Sequence, residues 1–208
     1  MSEFRVVQST AEMAEALAAI QAACFPTLAE QERITAEQFR AHTQVFPEGQ
    51  LTVLDGARPV ASTTTLRCNM DFDHYQHRYM DACGNNWLTT HNPQGDWLYG
   101  VDMGVHPDYR GRGLSSRLYE ARKELVKRLN LRGQVAGGMP KGYGELKDRM
   151  SIDDYVKALN SGEIFDPTVS IQLRRGFKIR GVIYDYLDDP CCDNKGLLIV
   201  LPNPDYRP

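Results

Sequence analysis

The sequence lacks both a long hydrophobic run and an excess of basic residues. No apolar stretch approaches the roughly 18 residues that suggest a membrane span, and the first five residues lack the basic-then-apolar pattern of a secretory signal. The 24 lysines and arginines face 27 aspartates and glutamates, giving a formal charge of −3, whereas nucleic-acid binders usually carry a basic face. We therefore expect a cytoplasmic protein that binds neither membranes nor nucleic acid.

Cysteine is also sparse, with five scattered residues. An odd number of cysteines in such an arrangement favours reduced thiols over a disulfide framework. His74-x-x-His77 lies near other candidate ligands in the sequence, but the spacing does not match a structural zinc site, so no metal is expected. These neighbouring residues are Cys68, Cys83 and His91.

The sequence shows no internal repeat, low-complexity run or domain linker. Its 208 residues are therefore expected to form one domain, 1–208, of ordinary size. Apolar residues at strand and helix spacing alternate along the chain. Their order predicts β-α-α-β-β-β-α-β-α-α-β-β, a mixed α/β fold with one sheet.

The segment 105–116, VHPDYRGRGLSS, is the most informative part of the sequence. The run Trp97–Val105 predicts a buried strand before it, and leucines at helical spacing predict a helix from Leu114 to about Leu129. A strand, a glycine-rich turn and a helix N-terminus together can bind a phosphate through backbone N–H groups. A dinucleotide fold is excluded because the turn lies mid-chain and lacks the third glycine. A tight turn without a ligand is the alternative.

Other local patterns predict helix ends and connections. The segments 9–12 (STAE) and 35–38 (TAEQ) both resemble capping boxes. Asp166-Pro167 predicts the start of a short helix over 168–175. The polar segment 71–95 predicts a long connection, or a lid, and the alternation over 177–187 predicts a strand.

The central turn resembles a known family. The segment 110–115 (RGRGLS) is similar to the (Gln/Arg)-x-x-Gly-x-(Gly/Ala) signature of the GNAT superfamily of acyl-CoA-dependent N-acetyltransferases, with Ser115 in the last position. The Val-x-Pro lead-in at 105–107, the junction 173–177 (LRRGF) and the element order also resemble that family. More loosely, 130–133 and Asp166-Pro167 resemble GNAT modules associated with nitrilase-like hydrolases, although no hydrolase domain is predicted here.

This resemblance implies a GNAT-like fold: a twisted, mixed but mostly antiparallel sheet of about seven strands, flanked by helices. It also implies acetyl-CoA, or another acyl-CoA, as the acyl donor. The pantetheine arm is expected to pair with the backbone of Met103 and Val105, and Gly104 is interpreted as a β-bulge. Two arginines of the turn add positive charge or remain solvated. The residues implied in binding the pyrophosphate are Arg110, Gly111, Arg112, Gly113, Leu114 and Ser115.

Asp102 is the first candidate for the catalytic base. Direct attack by an amine on a thioester requires a base, because the amine is mostly protonated near neutral pH. A carboxylate in an apolar strand is unfavourable unless it has a function or a partner. The alternative is a structural aspartate paired with an arginine. Tyr99, Asp96 and His106 are further candidates.

The group that stabilises the leaving thiolate is not assigned by the sequence. Many GNAT enzymes have a tyrosine five residues before the phenylalanine of Gly-Phe, and that position is Gln172 here. Its amide can hydrogen-bond the sulfur but has no titrating proton to give. Tyr143, Tyr155, Tyr184 or a water molecule remain candidates for the acid.

The resemblance thus implies an N-acetyltransferase that acts on the primary amine of a small molecule or peptide. An acyl-CoA-binding sensor or pseudo-enzyme without turnover is the alternative, and a structural or interaction protein is the third. The sequence leaves a homodimer open. Four aromatic residues either line an acceptor pocket or pack in the core: Tyr75, Tyr79, Trp87 and Trp97.

Overall fold

The computed structural model describes residues 4–208 and places seven strands in one sheet. Their order across the sheet is β1-β2-β3-β4-β5-β7-β6. The strands are β1 (Phe4–Gln8), β2 (Leu51–Asp55), β3 (Arg58–Cys68), β4 (Trp97–Val105), β5 (Gly133–Gly138), β6 (Lys178–Ile183) and β7 (Gly196–Pro202). The helices are α1 (Ala14–Cys24), α2 (Ala36–Val45), α3 (Tyr79–Ala82), α4 (Leu114–Arg128), α5 (Ile152–Ser161) and α6 (Val169–Arg174).

The pairing of β4 with β5 is parallel, and the other strand pairs are antiparallel. The prediction of a mixed, mostly antiparallel sheet is therefore confirmed. β4 and β5 pair only where Trp97–Gly100 meets Gly133–Ala136. Beyond Gly100 the two strands separate, and we call the gap between them the slot. Backbone groups that face the slot are available to a ligand, because no neighbouring strand pairs with them there.

Helices α1 and α4 cover opposite faces of β4. Leu114 and Leu118 of α4 pack in one cluster with Val53 of β2, and Met103 of β4 lies against that cluster. A Cβ atom on Gly104, the next residue of β4, would lie 3.0 Å from Cys24 Sγ of α1. The slot therefore opens between a face covered by α1 and a face covered by α4.

A β-bulge changes the direction of the side chains along β4. Thr65 of β3 pairs with Gly100, and Thr64 pairs with Asp102, so Val101 is the extra residue. A Cβ atom on Gly100 would touch Arg122 of α4, whereas Gly104 faces α1. Side chains alternate along a strand, so the extra residue places Asp102 on the same face as Gly104.

The prediction that Gly104 marks the bulge is wrong. Gly104 pairs regularly with Ser62, and the close approach of Cys24 explains why a small residue fits there. Helix packing thus favours a small residue at this position, while the irregularity itself lies at Val101.

The two capping-box predictions have different outcomes. Thr35 and Gln38 form the reciprocal pair at the start of α2, so that prediction is confirmed. The prediction at Ser9 is wrong: its buried hydroxyl pairs with Thr52 Oγ1 at 2.7 Å, and Thr10 is the residue that precedes the helical turn. Ser9 is drawn into the strand pairing, because Ser9 N–H donates to the Gln50 carbonyl at 2.8 Å.

Three other boundaries differ from the predictions. The segment 71–95 is packed rather than open: it contains α3, and Cys83 and Leu88 are fully buried. α6 begins at Val169, because Asp166 Oδ1 accepts hydrogen bonds from the backbone of Thr168 and Val169. The strand predicted over 177–187 ends at Ile183, before a turn in which Asp185 has a φ of 48°.

Candidate active site

A cavity of about 200 Å³ lies at the slot. It reaches both faces of the sheet, since residues of α1 and α4 line it together. Lining residues that carry polar side-chain groups are Gln21, Tyr79, Asp102, Ser115, Tyr119, Arg122, Thr168, Gln172 and Tyr186. A cavity that passes between two strands allows one substrate to approach from each face.

The glycine-rich turn lies at the end of β4 and opens α4. Gly111 and Gly113 have φ values of 76° and 74°, in the left-handed region that favours glycine. A Cβ atom on either glycine would meet nothing within 4 Å. The first backbone N–H groups of α4 have no partner within the helix. The turn therefore presents free donors and a favourable helix dipole to an anion.

The two arginines of the turn are exposed. Arg112 donates to the Asp108 carbonyl at 3.3 Å and lies 4.9 Å from the centre of the Tyr109 ring. Burial raises the pKa of the Cys24 thiol, and a hydrogen bond with Arg110 opposes this shift. The turn that the sequence predicts to bind a pyrophosphate thus carries two exposed arginines.

Asp102 is buried in the cavity wall. Its Oδ2 atom has no hydrogen-bond partner among residues 4–208. Burial raises the pKa of Asp102 to about 7, against a lowering effect of Lys141. Lys141 itself donates to the Cys24 carbonyl at 3.1 Å. The alternative of an arginine-paired structural aspartate finds no ion pair among the described residues, and a carboxyl with such a pKa can exchange a proton near neutral pH.

Arg122 lines the cavity from the α4 side and is only 3% exposed. Its Nε and Nη2 atoms have no hydrogen-bond partners within residues 4–208. Burial lowers the pKa of its guanidinium, which nonetheless stays charged because arginine starts from so high a value. The guanidinium lies against Gly100, where a side chain would collide with it.

Tyr186 brings a hydroxyl to the slot from the segment after β6. It lies over Gly137, where a Cβ atom would touch the tyrosine ring. Its hydroxyl is 3.0 Å from the Tyr99 hydroxyl, which is 2.8 Å from His77 Nε2. Burial raises the pKa of Tyr186, so it is protonated at neutral pH. These three side chains form a continuous path from the cavity to a half-buried histidine.

Gln172 and Tyr186 lie on opposite sides of β5. A Cβ atom on Gly138 would lie 2.7 Å from Gln172 Oε1, and this oxygen has no partner in the described part of the chain. The free group of the glutamine is therefore an acceptor, and only its Nε2 group can donate to a ligand.

Several residues predicted from the sequence meet at this cavity: Asp102, Gln172, Met103, Val105 and Ser115 line it. Gly104 instead faces α1, and Leu114 packs in the core. The remaining predicted residues lie in the turn outside the cavity lining: Arg110, Gly111, Arg112 and Gly113.

The other candidates for acid or base lie outside the cavity lining. Asp96 binds Arg132, with 2.7 Å between Oδ2 and Nε, and His106 accepts a hydrogen bond from Asp108 N–H. Tyr155 donates to Asp166 Oδ2 at 2.9 Å. Tyr143 packs against Tyr155, and Tyr184 is 52% exposed.

The aromatic candidates for an acceptor pocket also divide. Tyr79 lines the cavity. Trp87 is 38% exposed, Trp97 packs edge-on against Phe72, and the Tyr75 hydroxyl lies near Gly181. Within residues 4–208, His74, His77 and His91 belong to no cluster of three or more metal-ligating side chains.

Arg122 and Tyr186 were missed by the sequence analysis. A signal for Arg122 does exist, because it lies four residues after Leu118 and three before Leu125, on the apolar stripe of α4. Helix geometry places an arginine at such a position on the face that packs against the sheet. Tyr186 has no comparable signal, because only the turn after β6 brings it to Gly137.

The fold and the glycine-rich turn match one family of proteins. Residues 14–136 match the model of the acetyltransferase (GNAT) family. The chain belongs to this family.

Two curated relatives come from Bacillus subtilis (strain 168). The chain is 32% identical over 194 residues to "Uncharacterized N-acetyltransferase YkwB", covering 93% of this chain and 86% of that protein. It is 34% identical over 190 residues to "Probable hydrolase YhcX", covering 91% of this chain. The chain spans only 36% of the length of that second relative.

Among solved structures, the fold is similar to that of "GphF GNAT-like decarboxylase in complex with isobutyryl-CoA". The TM-score is 0.84 at 22% identity, with 96% of this chain and 99% of that chain covered. This similarity establishes the GNAT fold. In addition, none of the helices in residues 4–208 is long and apolar enough to cross a membrane.

Proposed function

We propose that this protein transfers an acetyl group from acetyl-CoA to a primary amine by direct attack. The observation that carries the proposal is the shared cavity, which is lined by an unpartnered carboxyl and reaches Ser115 in the first turn of α4. The residues fit the donor, because Gly111 and Gly113 leave open space where a pyrophosphate would contact backbone N–H groups. When bound, acetyl-CoA would supply the activated acyl group.

In this proposal the donor occupies the α4 side of the slot. The six residues Arg110–Ser115 would hold the pyrophosphate, and the β4 backbone around Met103 and Val105 would hold the pantetheine arm. Backbone N–H groups that face the slot would stabilise the negative charge that develops on the thioester oxygen. The amine would then enter from the face covered by α1.

Asp102 would act as the base. Its position on the α1 face, created by the bulge at Val101, directs the carboxyl toward the entering amine. With a pKa of about 7, it accepts a proton from an ammonium group more readily than an ordinary aspartate does.

The leaving thiolate would be stabilised by Tyr186 or Gln172. Tyr186 carries a proton and is connected to His77 through Tyr99, whereas Gln172 can only donate an amide hydrogen bond. Tyr186 is therefore a candidate acid in this proposal, since the family's usual tyrosine position is Gln172 here.

The experiment measures thiol release from acetyl-CoA with a panel of primary amines, comparing the unaltered protein with Asp102→Asn. We expect turnover with at least one amine and a fall in kcat of about 10²–10⁴-fold in the variant. Acetyl-CoA binding, measured by calorimetry, should remain because Asp102 faces the acceptor.

Asp96→Asn is the matched control, since Asp96 forms a surface ion pair outside the cavity. It should leave turnover unchanged. Tight acetyl-CoA binding without release on a broad panel would instead support the sensor, and an absence of any binding would refute both functions.

A further inference from the structure

The guanidinium of Arg122 lies 5.7 Å from the centre of the Tyr119 ring but has no anionic partner within residues 4–208. It takes part in none of the ion pairs among residues 4–208. Its Nε and Nη2 donors are unused and buried. An arginine charge is rarely retained in such a place without an anionic partner. The free donors and the adjoining cavity together indicate that the partner is a ligand.

The position of Arg122 identifies which part of a ligand would reach it. Gly100 is the last residue of β4 that pairs with β5, so the slot closes there. A Cβ atom on Gly100 would lie 2.4 Å from Arg122 Nη2. The segment from Gly100 to Val105 spans roughly 16 Å at the usual rise of a strand. A donor anchored at the turn and extended along β4 would therefore direct its acyl end toward Arg122.

The ligand group should carry a negative charge. A neutral acetyl group offers only the thioester oxygen, whereas the guanidinium has several donors in a planar fork. Carboxylates match this fork with two parallel hydrogen bonds. An acyl chain that ends in a carboxylate would thus satisfy both buried donors and neutralise the charge.

We propose that Arg122 binds the terminal carboxylate of a dicarboxylic acyl group, so that the preferred donor is a dicarboxylic monoacyl-CoA. This inference rests on the proposed use of an acyl-CoA donor and changes its acyl group. A carboxylate on the acceptor is the other source of the same chemistry. It is disfavoured because Arg122 lies on the α4 side, whereas Asp102 faces α1.

The test uses acyl chains of matched length. Dissociation constants are measured calorimetrically for succinyl-CoA against butyryl-CoA and for malonyl-CoA against propionyl-CoA, without an acceptor. We expect the charged member of at least one pair to bind about tenfold or more tightly. Arg122→Gln should remove this preference while retaining butyryl-CoA binding. Arg122→Lys should retain part of the preference for the charged acyl chain. Such a result would also show that the site tolerates substitution.

Arg128→Gln provides the control, because Arg128 lies on the same helix and pairs with Glu48 at the surface. Its donor preference should match that of the unaltered protein. Equal binding within both pairs, or a preference that survives in Arg122→Gln, would overturn the inference. Failure to bind any acyl-CoA would refute the proposed function instead.

A last arm separates the two sources of carboxylate. With acetyl-CoA as donor, KM is compared for an α-amino acid and its amide. A preference for the amino acid that disappears in Arg122→Gln would move the carboxylate to the acceptor and overturn the donor assignment. If the ratio of the two KM values were the same in the unaltered protein and in Arg122→Gln, the result would support the donor assignment.

Discussion

The glycine-rich turn and the buried end of the slot differ in how they can bind a ligand. The turn is exposed and offers mainly backbone donors, while the slot offers buried side chains whose partners are missing. Backbone N–H groups at a helix N-terminus bind any suitably shaped phosphate. Buried, unpartnered side chains instead discriminate, because an incorrect ligand leaves them desolvated. The turn would thus determine that an acyl-CoA binds, and the slot would determine which acyl group reacts.

The largest effect should come from placing a negative charge at the glycine-rich turn. Gly113→Asp places a carboxylate beside the free N–H groups, and its side chain enters open space. We expect the dissociation constant of CoA to rise about a thousandfold, or about 4 kcal/mol, in isothermal titration calorimetry.

Gly162→Asp is a matched control for this change. Gly162 has a φ of 78°, also with nothing within 4 Å of a Cβ atom, and it ends α5. Both variants carry similar backbone strain. If Gly162→Asp weakened CoA binding equally, the turn would not be the binding site.

The protonation of Asp102 in the slot should affect how the free energy of unfolding depends on pH. Burial raises the pKa of Asp102 from 3.8 to about 7, so the folded state binds a proton more tightly than the unfolded chain does. Its contribution is fully present below pH 3.8 and is lost as the pH rises through about 7. We expect Asp102 itself to contribute a decline on the order of 3 kcal/mol across this window. It is measured by urea denaturation as the difference between the unaltered protein and Asp102→Asn, because His42, whose pKa burial lowers to about 4, titrates in the same window with the opposite sign.

Asp102→Asn should flatten that decline, because asparagine does not titrate. Asp96→Asn should retain it. An unchanged pH profile in Asp102→Asn would show that the carboxyl is not held protonated by the cavity.

The two regions also differ in how far the sequence predicts them. The turn follows from local spacing, so its strand, glycines and helix could be read directly. The slot depends on non-local events: the separation of β4 from β5, and a bulge at Val101, next to Gly100, which the sequence analysis assigns to Gly104. Tyr186 reaches Gly137 only through a turn after β6. Ser9 shows the same limit, because its capping pattern was overridden by a bond to Thr52 in another strand.

A smaller effect is expected from the hydrogen-bonded path that joins Tyr186, Tyr99 and His77. Tyr186→Phe retains the ring over Gly137 but removes the hydroxyl that contacts Tyr99. If Tyr186 protonates the thiolate, kcat should fall by about 10- to 100-fold, with little change in KM. This range ends at the lower limit that is typical of general acid–base catalysis. Gln172→Ala should then have the lesser effect. The reverse order in steady-state assays would assign the thiolate to Gln172.

The smallest effect tests a contact that local sequence does determine. Thr35→Ala removes the oxygen that accepts Gln38 N–H at 3.3 Å, and should lower the free energy of unfolding by about 1 kcal/mol. Thr35→Asn supplies another capping oxygen and should restore most of the loss in the same denaturation experiment. Neither change should alter acyl-CoA binding, because α2 does not line the cavity. A loss of binding in Thr35→Ala would mean that the turn and slot depend on this distant helix start, and that the two regions are not separable from the rest of the fold.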